Sequence, residues 1–271
     1  MPELPEVEVT RAGIAPKLAG RRIVGVRLGK PLRWPLGVAA EELIGQVIGA
    51  VRRRAKYLLV DLDGGGVLVM HLGMSGRLAF HTGSPPAGPH DHFDLQVEGG
   101  VLRLHDPRRF GAVVYGASPD APMVRKLIGH LGPEPLSGDF DAHVFHLGLR
   151  QRRTTIKQAL MAGDLVVGVG NIYASEALFE AGIRPTTPAH RLSRLRAERL
   201  HAAIRRVLQR ALDSGGSTLR DFLSAEGQPG HFQQEAAVYG RAGQACPRCG
   251  HTVRSVVLGQ RSTFYCPRCQ T

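Results

Sequence analysis

Apolar positions follow two different rhythms along this chain. Between residues 22 and 116 they fall in short blocks, RIVGVRL, YLLVDL, VLVMHL, DHFDLQV, VLRLH and GAVVY, each five to seven residues long. Glycine-rich punctuation such as DGGG and EGG separates them, as turns separate brief antiparallel strands. The blocks predict a sandwich or barrel that ends at about Gly116. Ahead of them, Val7, Ile14 and Leu18 share one face of a helix that Gly20 closes. From about Ala121 the period lengthens. Leu200, Ile204, Val207, Leu208 and Ala211 predict a long amphipathic helix within Ser193–Ser214, with shorter helices at Ile156–Met161, Ile172–Ala181 and Leu219–Leu223. A glycine-rich turn, GVGN, precedes Ile172, and 215–232 (GGSTLRDFLSAEGQPGHF) reads as partly irregular.

Length and charge narrow the function classes. A chain of 271 residues, 43% of them hydrophobic, has room for one large domain or two to three smaller ones. It contains no apolar run of 18 residues and no basic stretch leading into an apolar block, so neither a membrane span nor a secretory leader is indicated. A cytoplasmic location is the expectation. The net charge of +12 points to a polyanion, with nucleic acid ahead of an anionic membrane because no basic amphipathic anchor stands out. The last 36 residues carry five arginines and no acid.

That basic end also holds every cysteine. Two CPRC motifs, Cys246 to Cys249 and Cys266 to Cys269, are separated by 16 residues, long enough for a hairpin with RSVV and STFYC as its arms. Paired Cys-x-x-Cys knuckles at this spacing present four thiolates to one Zn2+. Disulfides are the alternative, but each knuckle is too tight for an easy internal bridge and the expected compartment is reducing. Four thiolates leave no open position, so the expected zinc is structural. Arg261 lies near the hairpin tip, where it is either a solvated arginine or a phosphate contact.

The N-terminus, MPELPEVEVT, is open to two readings. Pro5 suits the start of a helix and acids suit its positive end, which makes the segment an ordinary helix start. Alternatively, trimming of Met1 leaves Pro2 as a free secondary amine beside Glu3 and Glu6, a potential nucleophile flanked by carboxylates.

Taken together, PELPEVE, RRAKYLL (53–59), HLGMSG (71–76), DPRRFG (106–111), VVGVGNIYASE (166–176) and the terminal four-cysteine finger resemble the bacterial formamidopyrimidine-DNA glycosylases over the full length. The resemblance implies an α+β multidomain fold. An N-terminal β-sandwich with its leading helix spans 1–120, and a helix–two-turn–helix domain with a lesion-covering loop at 215–232 spans 121–235. A β-hairpin zinc finger spans 236–271. It implies excision of oxidised purines such as 8-oxoguanine from double-stranded DNA, preferably opposite cytosine, followed by strand cleavage; a DNA-clamping monomer is the simplest reading of the oligomeric state. Pro2 matches the family's nucleophile, Glu3 its general acid, Glu6 a supporting acid, Lys56 a proton-transfer residue and Arg261 a residue linked to δ-elimination. Met74, Arg108 and Phe110 match the trio that fills the space left by an everted base. His71, Asn171 and Arg261 match phosphate clamps. His90, Arg152, Lys157 and Tyr239 match further DNA contacts. Two other readings compete: the sister endonuclease VIII type, which acts on oxidised pyrimidines, and a zinc-finger DNA-binding protein without activity.

Overall fold

The computed structural model describes residues 1–217 and 235–271. The helix expected at Leu219–Leu223 and all but the first three residues of the 215–232 loop lie outside the described residues. The chain divides into two compact units. One is built on Met1–His130 and takes in Ser214–Ser217; the other is built on Leu131–Asp213 and the C-terminal residues.

The first unit is a sandwich of two four-stranded antiparallel sheets. Strands β1 (Ile23–Leu28), β6 (Asp91–Val97), β7 (Gly100–His105) and β5 (Arg77–Thr82) form one sheet in the order β1-β6-β7-β5. Strands β2 (Ile48–Arg54), β3 (Tyr57–Leu62), β4 (Val67–His71) and β8 (Ala112–Gly116) form the other in the order β2-β3-β4-β8. All six apolar blocks are strands, and β2 and β5 are additional. IGAVRRR and RLAFHT each bury few side chains, so their alternation is weak in the sequence.

Strands β3 and β4 explain why some blocks are almost continuously apolar. Leu58, Val60, Leu62, Leu68 and Met70 face the core between the sheets, together with Leu95, Leu102 and Leu104 from the opposite sheet. Leu59, Val67 and Val69 point outward, yet they are also buried, under helix α2 (Pro122–Ile128) with its Val124 and Leu127. A sheet covered on both faces has no polar side to display. Helix α1 (Leu4–Leu18) adds Val7, Ile14 and Leu18 to the central core, and Gly20 takes φ +78° just beyond its end.

In the second unit, α3 (Ala142–Arg150), α4 (Ile156–Met161), α5 (Asn171–Glu180) and α6 (Arg194–Asp213) are the helices. The buried row of α6 is Ala197, Leu200, Ala203, Ile204, Val207, Leu208 and Ala211, which is the stripe its sequence period announces. The C-terminal hairpin pairs β9 (Arg254–Leu258) with β10 (Arg261–Tyr265) across Gly259 and Gln260, both at positive φ, as a two-residue hairpin turn requires.

Candidate active site and nucleic-acid interface

The N-terminal acids are buried, and the backbone holds them there. Glu3 is the residue before α1 and is 2% exposed; Glu6, in the first turn, is 0% exposed. Glu6 Oε2 accepts a hydrogen bond from the Glu3 N–H at 2.7 Å. Its Oε1 accepts from the Ser217 N–H at 2.7 Å and the Ser217 hydroxyl at 2.9 Å. Gly216 lies at φ +86°, and a Cβ there would stand 3.3 Å from the same oxygen. Glycine is what lets the chain approach the carboxylate so closely. Pro2 is buried at the head of this helix.

Lys56 sits half-buried in the two-residue turn between β2 and β3, beside Ala55 at φ +53°. A non-glycine residue in the left-handed region needs outside support. Arg53 supplies it, donating from Nη1 to the Ala55 carbonyl at 3.0 Å and from Nε to Glu8 of α1 at 2.8 Å. The turn carrying Lys56 is thereby tied to the helix carrying Glu3 and Glu6.

His71 ends β4 with its ring 4.8 Å from that of Tyr57. Burial, followed by the positive charges of Lys56 and Arg33, lowers its pKa to about 4 against the opposing pull of Asp106. Its Nδ1 accepts the Gly73 N–H at 3.0 Å, so the proton of the neutral ring sits on Nε2 and is available for donation. A neutral donor beside lysine and arginine suits a phosphate oxygen.

Met74 and Phe110 are 43% and 45% exposed, which removes core packing as an account of either. The Arg108 guanidinium lies 4.9 Å from the Phe110 ring centroid. His90 is exposed, edge-on to His105 at 5.8 Å.

In the second unit, Asn171 opens α5 and donates from Nδ2 to the Ser262 carbonyl at 3.0 Å, while its Oδ1 is buried without a hydrogen-bond partner. Arg261, the first residue of β10, is exposed at the hairpin turn. Lys157 lies deeper than a surface contact: it is 1% exposed, and its ammonium donates to Thr263 Oγ1 at 2.8 Å and Ser175 Oγ at 3.2 Å. It joins α4 to α5 and to the finger. Arg152 is paired with Asp164. Tyr239 donates its N–H to Glu176 at 2.8 Å and meets Phe264 edge-on at 5.2 Å.

The four cysteine sulfurs lie within 4.8 Å of one another. Cys246 and Cys269 are 3.9 Å apart, and Cys249 and Cys266 are 3.5 Å apart. Zinc–sulfur bonds of about 2.3 Å at tetrahedral angles place sulfurs about 3.8 Å apart, whereas a disulfide needs about 2.05 Å. The donor set fits one Zn2+, held by Cys246, Cys249, Cys266 and Cys269.

Sequence reasoning missed Ser217, Asp106, Ser75 and Glu176. Nothing local marks the Ser217–Glu6 and Ser75–Asp106 contacts, whose partners lie 211 and 31 positions apart. Glu176 carried a signal, an acid in the middle of the largely apolar α5. It accepts the N–H groups of Ala237, Val238 and Tyr239 at 2.8–3.0 Å.

A sandwich with an acid-flanked N-terminus, a helical unit and a thiolate finger with a basic tip define a multidomain zinc-finger enzyme of the kind that works on nucleic acid. Three family models match in order: the formamidopyrimidine-DNA glycosylase N-terminal domain over residues 1–113, its H2TH domain over 131–223, and the zinc finger found in FPG and IleRS over 243–271. The formamidopyrimidine-DNA glycosylase of Albidiferax ferrireducens is 64% identical over 270 residues, covering 100% of this chain and 99% of its own. That of Variovorax paradoxus is 62% identical, with both chains covered in full (100%). Among solved structures, the MutM (Fpg) protein of Thermus thermophilus superposes with a TM-score of 0.91 at 42% identity, covering 99% of this chain and 98% of its own. A Lactococcus lactis Fpg variant in complex with a Fapy-dG-containing DNA superposes at 0.92 and 35% identity, with both chains fully covered (100%). The chain belongs to the formamidopyrimidine-DNA glycosylase family. The α+β fold with sandwich, H2TH domain and zinc finger, and the single structural zinc, stand with that membership. Among the described residues, no helix is long and apolar enough to cross a membrane.

Proposed function

We propose that this protein is a bifunctional DNA glycosylase and AP lyase of base excision repair, which removes oxidised purines from duplex DNA through a Schiff base on Pro2. The observation that carries the mechanism is the buried Glu3–Glu6 pair at the head of α1 beside Pro2. Removal of Met1 frees the Pro2 secondary amine. The target base is swung out of the duplex so that its sugar carbon is accessible. The amine nitrogen attacks C1′, the C1′–N bond to the base breaks, and the base leaves with a proton. Glu3 protonates the sugar ring oxygen, which opens the ring and leaves an iminium between Pro2 and C1′. The cation acidifies the C2′ protons. Loss of one of them expels the 3′ phosphate, and a second elimination expels the 5′ phosphate, with Lys56 moving protons and Arg261 assisting the last step.

Glu6 has a different task. Both its oxygens are committed to backbone and hydroxyl donors, so it fixes Glu3 and Ser217 in place. Met74, Arg108 and Phe110 fill the vacated space, with Arg108 reading the cytosine opposite the lesion. His71, Asn171 and Arg261 clamp phosphates, and His90, Arg152, Lys157 and Tyr239 support the DNA surface. The zinc holds the finger and takes no part in the chemistry. The division of labour runs 1–120, 121–235 and 236–271, in a monomer that works in the bacterial cytoplasm on nucleoid DNA.

Borohydride tests this reading, because it reduces an iminium to a stable amine. With an 8-oxoguanine duplex, the protein–DNA cross-link is expected on Pro2 by peptide mass. Pro2→Gly retains a terminal amine and some trapping, whereas an N-terminal extension that resists processing abolishes trapping and spares DNA binding. A cross-link on Lys56 with Pro2 unmodified overturns the mechanism.

A further inference from the structure

The sequence presents HLGMSG and DPRRFG as two separate motifs, and the structure joins them through one buried carboxylate. The segment 72–76 runs from β4 to β5, crossing from one sheet to the other, and 106–111 crosses back from β7 to β8. Strand pairing places both at the same end of the sandwich, since His71 faces Ala112 and Arg77 faces His105. Met74 is on the first crossing; Arg108 and Phe110 are on the second.

Asp106 is 0% exposed and sits where the second crossing begins. Its Oδ1 accepts the hydroxyl of Ser75 on the first crossing at 2.8 Å. Its Oδ2 accepts the Gly111 N–H at 2.7 Å and closes the second crossing on itself. The Asp106 backbone also accepts from Arg109 N at 3.1 Å and donates to the His90 carbonyl at 2.8 Å. The two backbones touch: a Cβ on Gly73, at φ +62°, would lie 2.5 Å from Gly111 N and from Phe110 C. Side-chain bonds and backbone approach therefore fix the spacing of the two crossings, while the side chains they display stay exposed.

We propose that Asp106 is a positioning residue that locks the two crossings into one preassembled wedge, so that Met74 and the Arg108–Phe110 pair enter the duplex together. This rests on the reading of those three side chains as the void-filling group. With Asp106 in place, the wedge is ordered before DNA arrives, and binding does not have to order two loops separately. The function is geometric. An asparagine can still accept the Gly111 N–H through its oxygen and can donate to Ser75 Oγ, so Asp106→Asn preserves the clip with one bond reversed.

The test compares two substrates under single turnover: an 8-oxoguanine duplex, where a base has to be everted and a partner strand faces the wedge, and a single-stranded abasic oligonucleotide, where neither holds. Asp106→Ala is expected to lose at least tenfold more rate on the duplex than on the abasic strand, Ser75→Ala a few-fold more, and Asp106→Asn is expected to restore most of the duplex rate. A double-mutant cycle between Met74→Ala and Phe110→Ala reports whether the two act as a unit. Non-additivity is expected in the native background and additivity in Asp106→Ala. Equal losses on both substrates, or a cycle that Asp106→Ala leaves unchanged, overturn the proposal. Failure of the unaltered protein to cleave the abasic strand would instead count against the lyase reading on which it rests.

Discussion

Glu6 and Glu176 are both buried helical carboxylates that capture backbone N–H groups from distant segments, yet they serve regions built in opposite ways. Glu6 gathers Glu3 and Ser217 against a sandwich whose core draws on both sheets and on α1. Glu176 gathers residues 237–239 at the entrance to the finger, where, among the described residues, the buried cluster is Phe179, Val238, Val253, Cys246 and Cys266, with Ala237 and Phe264 packed against it. In the first region the apolar core supplies stability and the carboxylate supplies placement. In the second, two of the core residues are themselves metal ligands, so the apolar core among the described residues is small. The N-terminal site is held by packing, and the Arg261 tip is held by coordination.

Removing the metal ligand is the strongest way to break that comparison. Structural zinc contributes on the order of 10 kcal/mol to modules of this kind, more than the rest of the finger can replace. Cys249→Ser is expected to release the hairpin, to remove Arg261 from the DNA and to weaken damaged-duplex binding at least tenfold. Amide exchange is expected to rise across 244–271 and to stay slow in β3, β4 and β7. Slow exchange throughout the finger of the zinc-free variant would show that packing suffices there too.

Acid sharpens the comparison from the other side, with a smaller effect. His71 is held neutral in the fold, its pKa lowered to about 4 from an ordinary 6.5, chiefly by burial. The unfolded chain therefore binds the proton first. The resulting stability is fully present above pH 6.5 and is lost as pH falls from there toward 4. At pH 5 the loss amounts to about 2 kcal/mol. Urea unfolding from pH 8 to 4 is expected to give a steeper decline for the native protein than for His71→Asn, which keeps an acceptor for the Gly73 N–H and does not titrate. Parallel curves would mean that His71 is not held neutral by the sandwich.

The two regions also differ in how far their sequences disclose them. The finger is nearly complete on paper, because coordination chemistry imposes a spacing and two-residue turns favour glycine. RSVV and STFYC fall on the observed strands to within a residue. The sandwich is legible where burial imposes a rhythm, as in β3, β4 and α1, and illegible in β2 and β5, where few side chains are fully buried. The matched residues in PELPEVE, HLGMSG and DPRRFG could be named from the motifs, but not what holds them. Ser217 reaches Glu6 across 211 positions and Ser75 reaches Asp106 across 31, and no local propensity encodes a contact of that kind. Lys157 shows the converse. A lysine in a basic, DNA-binding sequence invites a phosphate contact, and the fold instead surrounds its ammonium with the hydroxyls of Ser175 and Thr263.

The smallest predicted effect on stability tests whether packing in the first unit positions as well as stabilises. Arg53 joins Glu8 of α1 to the Ala55 carbonyl, with its side chain 13% exposed and that of Glu8 26% exposed. A part-buried pair of this kind contributes about 1 kcal/mol or less, so Arg53→Met, which keeps the apolar stem over the helix, is expected to unfold only slightly earlier in urea. Its consequence for chemistry is larger than that figure implies. Without the bond from Arg53, the strained Ala55 turn relaxes and Lys56 loses its fixed place beside α1. Displacements of this kind slow catalysis out of proportion to stability, and borohydride trapping on an abasic duplex is expected to slow by roughly tenfold. Arg125→Met is the control, because Arg125 and Asp120 form a pair with side chains 69% and 78% exposed and neither is among the residues assigned to the site. If Arg53→Met and Arg125→Met trap DNA at the same rate, the link from α1 to the Lys56 turn is structural only, and the core alone places the lysine.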